Sequence, residues 1–259
     1  MVLYFTGTGN SLYVAKKVDD VRVSIPKVIH NANQEYTADS IGIVCPVYGH
    51  EMPELVKEFI KRATFHTEYF YLVLTYGRRH GGATELAEQY LRKCGLEADY
   101  INIINMADNY LPSFDMNEQL AIDSEKKVDE HIRMIKADID SRKHWKQKVT
   151  QEDREWHQRY LNLRRENPID VKSGIFKVLE HCIGCGICMR VCPTGSIRVE
   201  NQHAKYKDTS RCQMCLACVQ HCPENAIRLT IPEKNPNARY HNSNIRLSEL
   251  VEANNQNEY

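Results

Sequence analysis

The stretch HCIGCGICMRVCPTGSIR, from His181 to Arg198, aligns without gaps on RCQMCLACVQHCPENAIR, from Arg211 to Arg228. This internal duplication carries eight of the chain's ten cysteines, as Cys182-x-x-Cys185-x-x-Cys188-x-x-x-Cys192-Pro193 and Cys212-x-x-Cys215-x-x-Cys218-x-x-x-Cys222-Pro223. A cubane [4Fe–4S] cluster needs four thiolates, and two-residue gaps let a short loop wrap three of them around one face of the cube. The wider gap to the fourth cysteine, closed by proline, belongs to the arrangement in which that cysteine crosses to the other cluster. One cube is therefore expected on Cys182, Cys185, Cys188 and Cys222, and a second on Cys212, Cys215, Cys218 and Cys192. Paired C-x-x-C motifs also serve zinc, but two copies sharing every gap and both ending in Cys-Pro point to clusters and to electron transfer.

With its flanks, this region resembles the bacterial-type dicluster ferredoxin over about Gly174 to Pro232. One difference separates the halves. Gly186 follows the middle cysteine of the first loop and Leu216 that of the second, which is expected to change the solvent exposure of one cube and hence its potential.

Outward from the duplication, composition sets limits. The 259 residues are enough for two domains, and 42% hydrophobic content is ordinary for a globular chain. Lys plus Arg and Asp plus Glu each total 34, a formal net charge of zero, so no basic field invites nucleic acid or a membrane surface. No apolar stretch approaches about 18 residues, and the first residues lack the basic and long apolar regions of a secretory signal. With thiolates kept for iron, the expectation is a cytoplasmic protein.

The N-terminal half alternates strand and helix patterns. Val2-Leu3-Tyr4-Phe5 runs into Thr6-Gly7-Thr8-Gly9-Asn10-Ser11, and Leu12, Val14, Ala15 and Val18 follow at helical spacing. Further strands are expected at Ile41 to Val47, Tyr69 to Thr75 and Tyr100 to Asn105. Val21 to Ile29 reads as a short edge strand interrupted by Pro26. Leu55, Phe59 and Ile60, then Leu86, Tyr90 and Leu91, mark the intervening helices. Such alternation implies a parallel sheet covered on both faces.

The turn after the first strand puts backbone N–H groups and hydroxyls around an anion at a helix N-terminus. It lacks the lysine of a P-loop. It also has Leu12 where a dinucleotide fingerprint has its third glycine, and no acidic residue stands near position 29 to bind a ribose. The T-x-T-G-x-S form resembles the phosphate loop of flavodoxins, which holds the FMN phosphate through hydroxyls and amides. That resemblance implies flavin contacts from two later loops. Pro46, Val47, Tyr48 and Gly49 follow the third strand, and Thr75, Tyr76 and Gly77 follow the fourth. Arg78, Arg79 and His80 would then fall near the place where a reduced flavin carries negative charge.

Taken together, the chain resembles the family of ferredoxins with an N-terminal flavodoxin-like extension, found mainly in anaerobic microbes. Met106 to Tyr110 also resembles a segment after that family's fifth strand, of no stated role. The implied architecture is α/β, a flavodoxin-like doubly wound parallel sheet of five strands over residues 1–148 with a C-terminal α+β dicluster ferredoxin module at 174–232. A helical linker occupies 149–173 and a polar tail, mobile at its end, 233–259. In the helical stretch Val128, Ile132, Ile135 and Ile139 form one stripe to cover the sheet. Thr150 and Asp153 cap a helix carrying Trp156, Tyr160 and Leu163 toward a partner surface, and Asn167-Pro168 ends it. Cys45 and Cys94 read as packed thiols, and the eleven histidines show no metal-site spacing.

The resemblance implies two [4Fe–4S] clusters and FMN, and an electron-transfer protein that relays electrons among them to redox partner proteins. The alternative is an FMN-dependent oxidoreductase that reduces a small molecule such as a quinone. No catalytic acid or nucleophile stands out.

Overall fold

The computed structural model describes residues 1–168 and 175–256. Strands and helices alternate through the first half: β1 (Val2–Tyr4), α1 (Asn10–Val18), β2 (Arg22–Ser24), β3 (Ser40–Pro46), α2 (Glu54–Arg62), β4 (Tyr69–Tyr76), α3 (Ala83–Lys93), β5 (Tyr100–Asn105), α4 (Val128–Asp140), β6 (Trp145–Lys146) and α5 (Gln151–Glu166). Among the described residues the main sheet runs β2-β1-β3-β4-β5-β6, all pairs parallel. Its first five strands have the 2-1-3-4-5 order of the flavodoxin-like doubly wound fold. The two-residue β6 adds a sixth strand to the five expected. Pro26 does not interrupt an edge strand. It sits in the first turn of a short helix, Ile25–Val28, where its missing N–H has no bond to lose.

Alternation along the strands separates two cores. Leu3, Ile41, Ile43, Leu72 and Leu74 face α2 and α3, where Leu55, Val56, Phe59 and Leu91 meet them. Val2, Tyr4, Val44 and Val73 face the other way onto Leu12, Val14 and Ala15 of α1 and onto Ile132, Ile135 and Ile139 of α4. Burying both faces requires near-continuous apolar strands. Gly42 makes room on β3, since a methyl group there would run into the Tyr71 ring. Cys45 and Cys94 pack against the first of these cores.

The C-terminal module is built from β7 (Phe176–Val178), α6 (Ile187–Arg190), β8 (Ile197–Glu200), β9 (His203–Tyr206), α7 (Ala217–Gln220) and β10 (Ile227–Leu229). Antiparallel pairs β8–β9 and β7–β10 flank two single-turn helices, one after each cysteine loop. Gly174, where the dicluster segment was expected to begin, lies outside the described residues.

Residues after 232, expected as a polar tail, pack onto the rest of the chain. Tyr240, Asn242, Ile245 and Leu250 are buried, and α8 (Leu247–Asn254) places Leu250 in one core and Ala253 in the other. The asparagines that read as polar filler instead satisfy buried backbone and side-chain groups. The last residues of the tail, 257–259, lie outside the described residues. Among the described residues no helix is long and apolar enough to cross a membrane.

Candidate functional site

At the carboxyl ends of β1, β3, β4 and β5 lies a cavity of about 770 Å³, where ligands bind in open α/β sheets. Of the thirteen residues expected to contact a flavin, Thr6, Gly7, Thr8, Asn10, Ser11, Pro46, Val47, Tyr48, Gly49, Thr75, Tyr76 and Gly77 line it. Gly9 does not. It turns the loop at φ 102°, a left-handed conformation open to glycine, and its carbonyl accepts the first helical bond of α1 from Tyr13.

The loop is held rigid by its own hydroxyls and by distant elements. Thr6 Oγ1 accepts from the Gly9 amide at 3.1 Å, and Ser11 and Thr75 hydroxyls meet at 2.8 Å. Asn109 donates to Thr8 Oγ1 at 2.6 Å. From the C-terminal segment, Tyr240 and Asn242 both donate to Asn10 Oδ1, at 2.6 and 3.1 Å, and the Asn242 amide donates to the Thr8 carbonyl. Asn254 ties the Thr6 carbonyl (3.0 Å) to the Val191 carbonyl of the cysteine module (3.3 Å). The first turn of α1 holds no acidic residue, so the amide ends and the helix dipole are left to an anion. Buried hydroxyls, free amides and no lysine fit a terminal phosphate, and the tyrosines and Trp156 fit a flat ring.

Segments beyond the expected loops complete the cavity. Asp108, Asn109 and Tyr110, in the stretch left without a role by sequence, line it. Asp108 accepts from the Arg78 amide (2.9 Å) and the Tyr110 amide (3.2 Å), and burial pushes its carboxyl above the usual range. Helix α5, expected as a linker facing a partner, forms a wall through Trp156, Arg159, Tyr160, Leu163 and Arg164. Its start is fixed by a capping box between Thr150 and Asp153. Tyr160 closes against Gly49, where any side chain would collide with its ring. Of the three basic residues in the fourth-strand loop, Arg78 and Arg79 line the cavity and His80 does not. Arg79 stacks on Trp156 at 3.5 Å, while His80 turns away to Asp153 at 3.3 Å.

The cysteines fall into two sets. Cys188 has Cys182, Cys185 and Cys222 as its electrostatic neighbours, and those four line one small hollow. Cys218 has Cys192, Cys215 and Cys212. The fourth cysteine of each run thus sits with the other run. Among the described residues no three His, Cys, Asp or Glu converge on a single ion. A cubane instead presents separate iron corners, so the two four-thiol sets fit that group. Amides point at the sulfurs as well, Ser196 N to Cys192 at 3.4 Å and Ala226 N to Cys222 at 3.2 Å.

The two sets differ in place. Cys185 is exposed, whereas Cys192, Cys215 and Cys218 of the second set are buried and their loop reaches the cavity. Met214 and Leu216 line that cavity, and a methyl on Gly7 would stand 2.9 Å from the Cys215 carbonyl. Tyr48 lies between, its phenol proton held by burial first and by Cys215 next. Leu216 is 2% exposed at φ 56°. The difference from Gly186 therefore closes a wall rather than opening a cluster to water, at the cost of a conformation that L-residues avoid.

Residues 174–223 match the family model of the 4Fe-4S dicluster domain. No curated protein matches the chain. Among solved structures, a candidate flavoprotein of Bacteroides uniformis is 17% identical with a TM-score of 0.33, over 42% of this chain and 90% of that one. The Trp repressor binding protein of Bacillus subtilis is 13% identical with a TM-score of 0.30, over 40% and 84%. By its strand order the first part is a flavodoxin-like α/β sheet, and it is followed by the segment that matches the dicluster model.

Proposed function

We propose that the chain is an electron-transfer flavo-iron-sulfur protein, with two [4Fe–4S] clusters on the two thiol sets and FMN in the cavity. Clusters exchange single electrons, and a flavin exchanges one or two. Cys182, Cys185, Cys188 and Cys222 would hold the solvent-side cluster, and Cys212, Cys215, Cys218 and Cys192 the one beside the flavin. Thr6 to Ser11 would take the phosphate, and the Tyr48 and Tyr76 loops the ring.

The observation that carries this reading is the contact between Gly7 and Cys215. A methyl added at Gly7 would stand 2.9 Å from both the Cys215 carbonyl and the Tyr48 hydroxyl, so the phosphate loop and a cysteine loop run side by side where the two cofactors would exchange electrons. Exposure of Cys185 gives redox partner proteins an approach to the other set. The dicluster segment suits a reducing compartment, such as the cytoplasm of an anaerobe.

The experiment is anaerobic purification with iron, sulfide and flavin quantified, followed by reductive titration watched optically and by EPR. About eight irons and one FMN per chain are expected from two cubes and one cavity. Tightly bound zinc without iron, or FAD in place of FMN, refutes the reading. A second reading, an FMN-dependent oxidoreductase acting on a small molecule such as a quinone, is favoured by the size of the cavity and by the wall that α5 adds to it.

A further inference from the structure

The cavity is chemically lopsided. Its phosphate loop is neutral, yet four arginines line the rest of it: Arg78, Arg79, Arg159 and Arg164. Among the described residues none of the four forms an ion pair with a carboxylate or donates to the Thr6–Ser11 loop. Among the described residues the one lining carboxylate is Asp108, which accepts from two backbone amides and attracts Arg78 and Lys126. The Arg79 and Arg159 guanidiniums lie 3.5 and 4.8 Å from the centre of the same indole, that of Trp156. Two like charges held on one ring call for an anion, and stacking leaves the edges of each guanidinium fork free to donate. Beside them, His50 lines the cavity with its Nδ1 buried and without a hydrogen-bond partner. The volume, about 770 Å³, is more than twice the roughly 300 Å³ at which small-molecule sites begin.

We infer that the arginine-bearing wall is a second subsite of the cavity, which binds a flat organic molecule carrying a carboxylate. The indole and guanidinium planes take the flat body, and the forks take the carboxylate in the two-bond geometry that arginine prefers. A concave wall suits a small molecule better than the face of an acidic protein. The inference rests on the flavin reading for the identity of the neighbouring occupant, though not for the anion site itself.

The test uses the full-length protein, purified anaerobically with its cofactors. Anthraquinone-2-carboxylate and its uncharged primary amide are titrated by calorimetry into wild type and into Arg79→Ala/Arg159→Ala. The acid should bind at least about tenfold more tightly than the amide, the least expected of one charge-assisted pair. The variant should lose that preference while keeping iron and flavin content. Equal affinity for acid and amide overturns the inference, as does an unchanged preference in the variant. Flavin loss in step with the mutations overturns it too, because the arginines would then hold the flavin. Binding of poly-glutamate by these arginines, with no response to the anthraquinone acid, moves them to a protein-docking surface. Flavin content is read before any probe is added. A flavin-free protein that still prefers the acid sinks the flavin reading and keeps the subsite.

Discussion

Replacing Tyr206 by Phe should lower the reduction potential of one cluster and spare the other. Phe176 stands six residues before Cys182, and Tyr206 six before Cys212, so the two are equivalent positions of the duplication. Their rings stack on each other at 4.8 Å and 6°. Only the second carries a hydroxyl, which lies 3.1 Å from Cys218 Sγ. A cysteine bound to iron is a thiolate and cannot donate, so the phenol must. Burial, then the neighbouring Cys218, keeps that phenol protonated well beyond neutral pH. A hydrogen bond to a charged acceptor contributes about 1.5–3 kcal/mol. Only its strengthening on reduction, when the cluster gains a negative charge, moves the potential. If that is a third of the total, about 0.5–1 kcal/mol, the shift is roughly 20–40 mV, since about 1.4 kcal/mol corresponds to 59 mV for one electron. The cluster proposed beside the cavity should thus be the easier of the two to reduce, drawing electrons inward. Potentiometric titration followed by EPR resolves the two clusters. An equal shift of both, or a rise in the second, refutes the reasoning.

Thr8→Ala with Ser11→Ala removes two loop hydroxyls worth about 1 kcal/mol each, so FMN should bind roughly thirtyfold more weakly with cluster absorbance intact; riboflavin binding as tightly as FMN would refute the phosphate-loop assignment. Cys192→Ala should damage the cluster on Cys212, Cys215 and Cys218, and EPR showing loss of the other cluster instead would reverse the grouping. Gly42→Ala pushes a methyl into the Tyr71 ring and should cost about 1–3 kcal/mol, read as a lower urea midpoint at unchanged slope. Burial, reinforced by His157 and His80, pushes His50 from 6.5 down to about 4. The unfolded chain then binds more protons between those values, so stability is full above pH 6.5 and falls toward pH 4. His50→Asn should flatten that acid limb of the urea midpoint against pH, and an identical limb in both proteins would count against the buried neutral ring.

Some residues announced their place in the sequence because local chemistry alone constrains them. Thiolate spacing suits a cube, and the structure gathers Cys182 to Cys222 into two sets of four. Strand-turn-helix alternation specifies a parallel sheet, because both faces of each strand must be covered. The thirty-residue offset even predicts that Gly186 and Leu216 are equivalent, and both adopt positive φ at the start of a short helix.

Other residues stayed hidden because their roles come from distant partners. Asn242 and Asn254 look like solvent-loving tail residues until the chain returns beneath the phosphate loop, where buried backbone groups require donors. Trp156 and Tyr160 form an ordinary amphipathic stripe, and nothing local says whether it meets a partner or roofs a cavity. The order of the two thiol sets is invisible in a near-perfect repeat. It arises only because packing brings the Cys215 loop, and not the Cys185 loop, against Gly7. Local spacing determines which groups this chain can hold. Long-range packing of segments more than 200 residues apart, as in the Tyr240–Asn10 hydrogen bond, decides how those groups face one another.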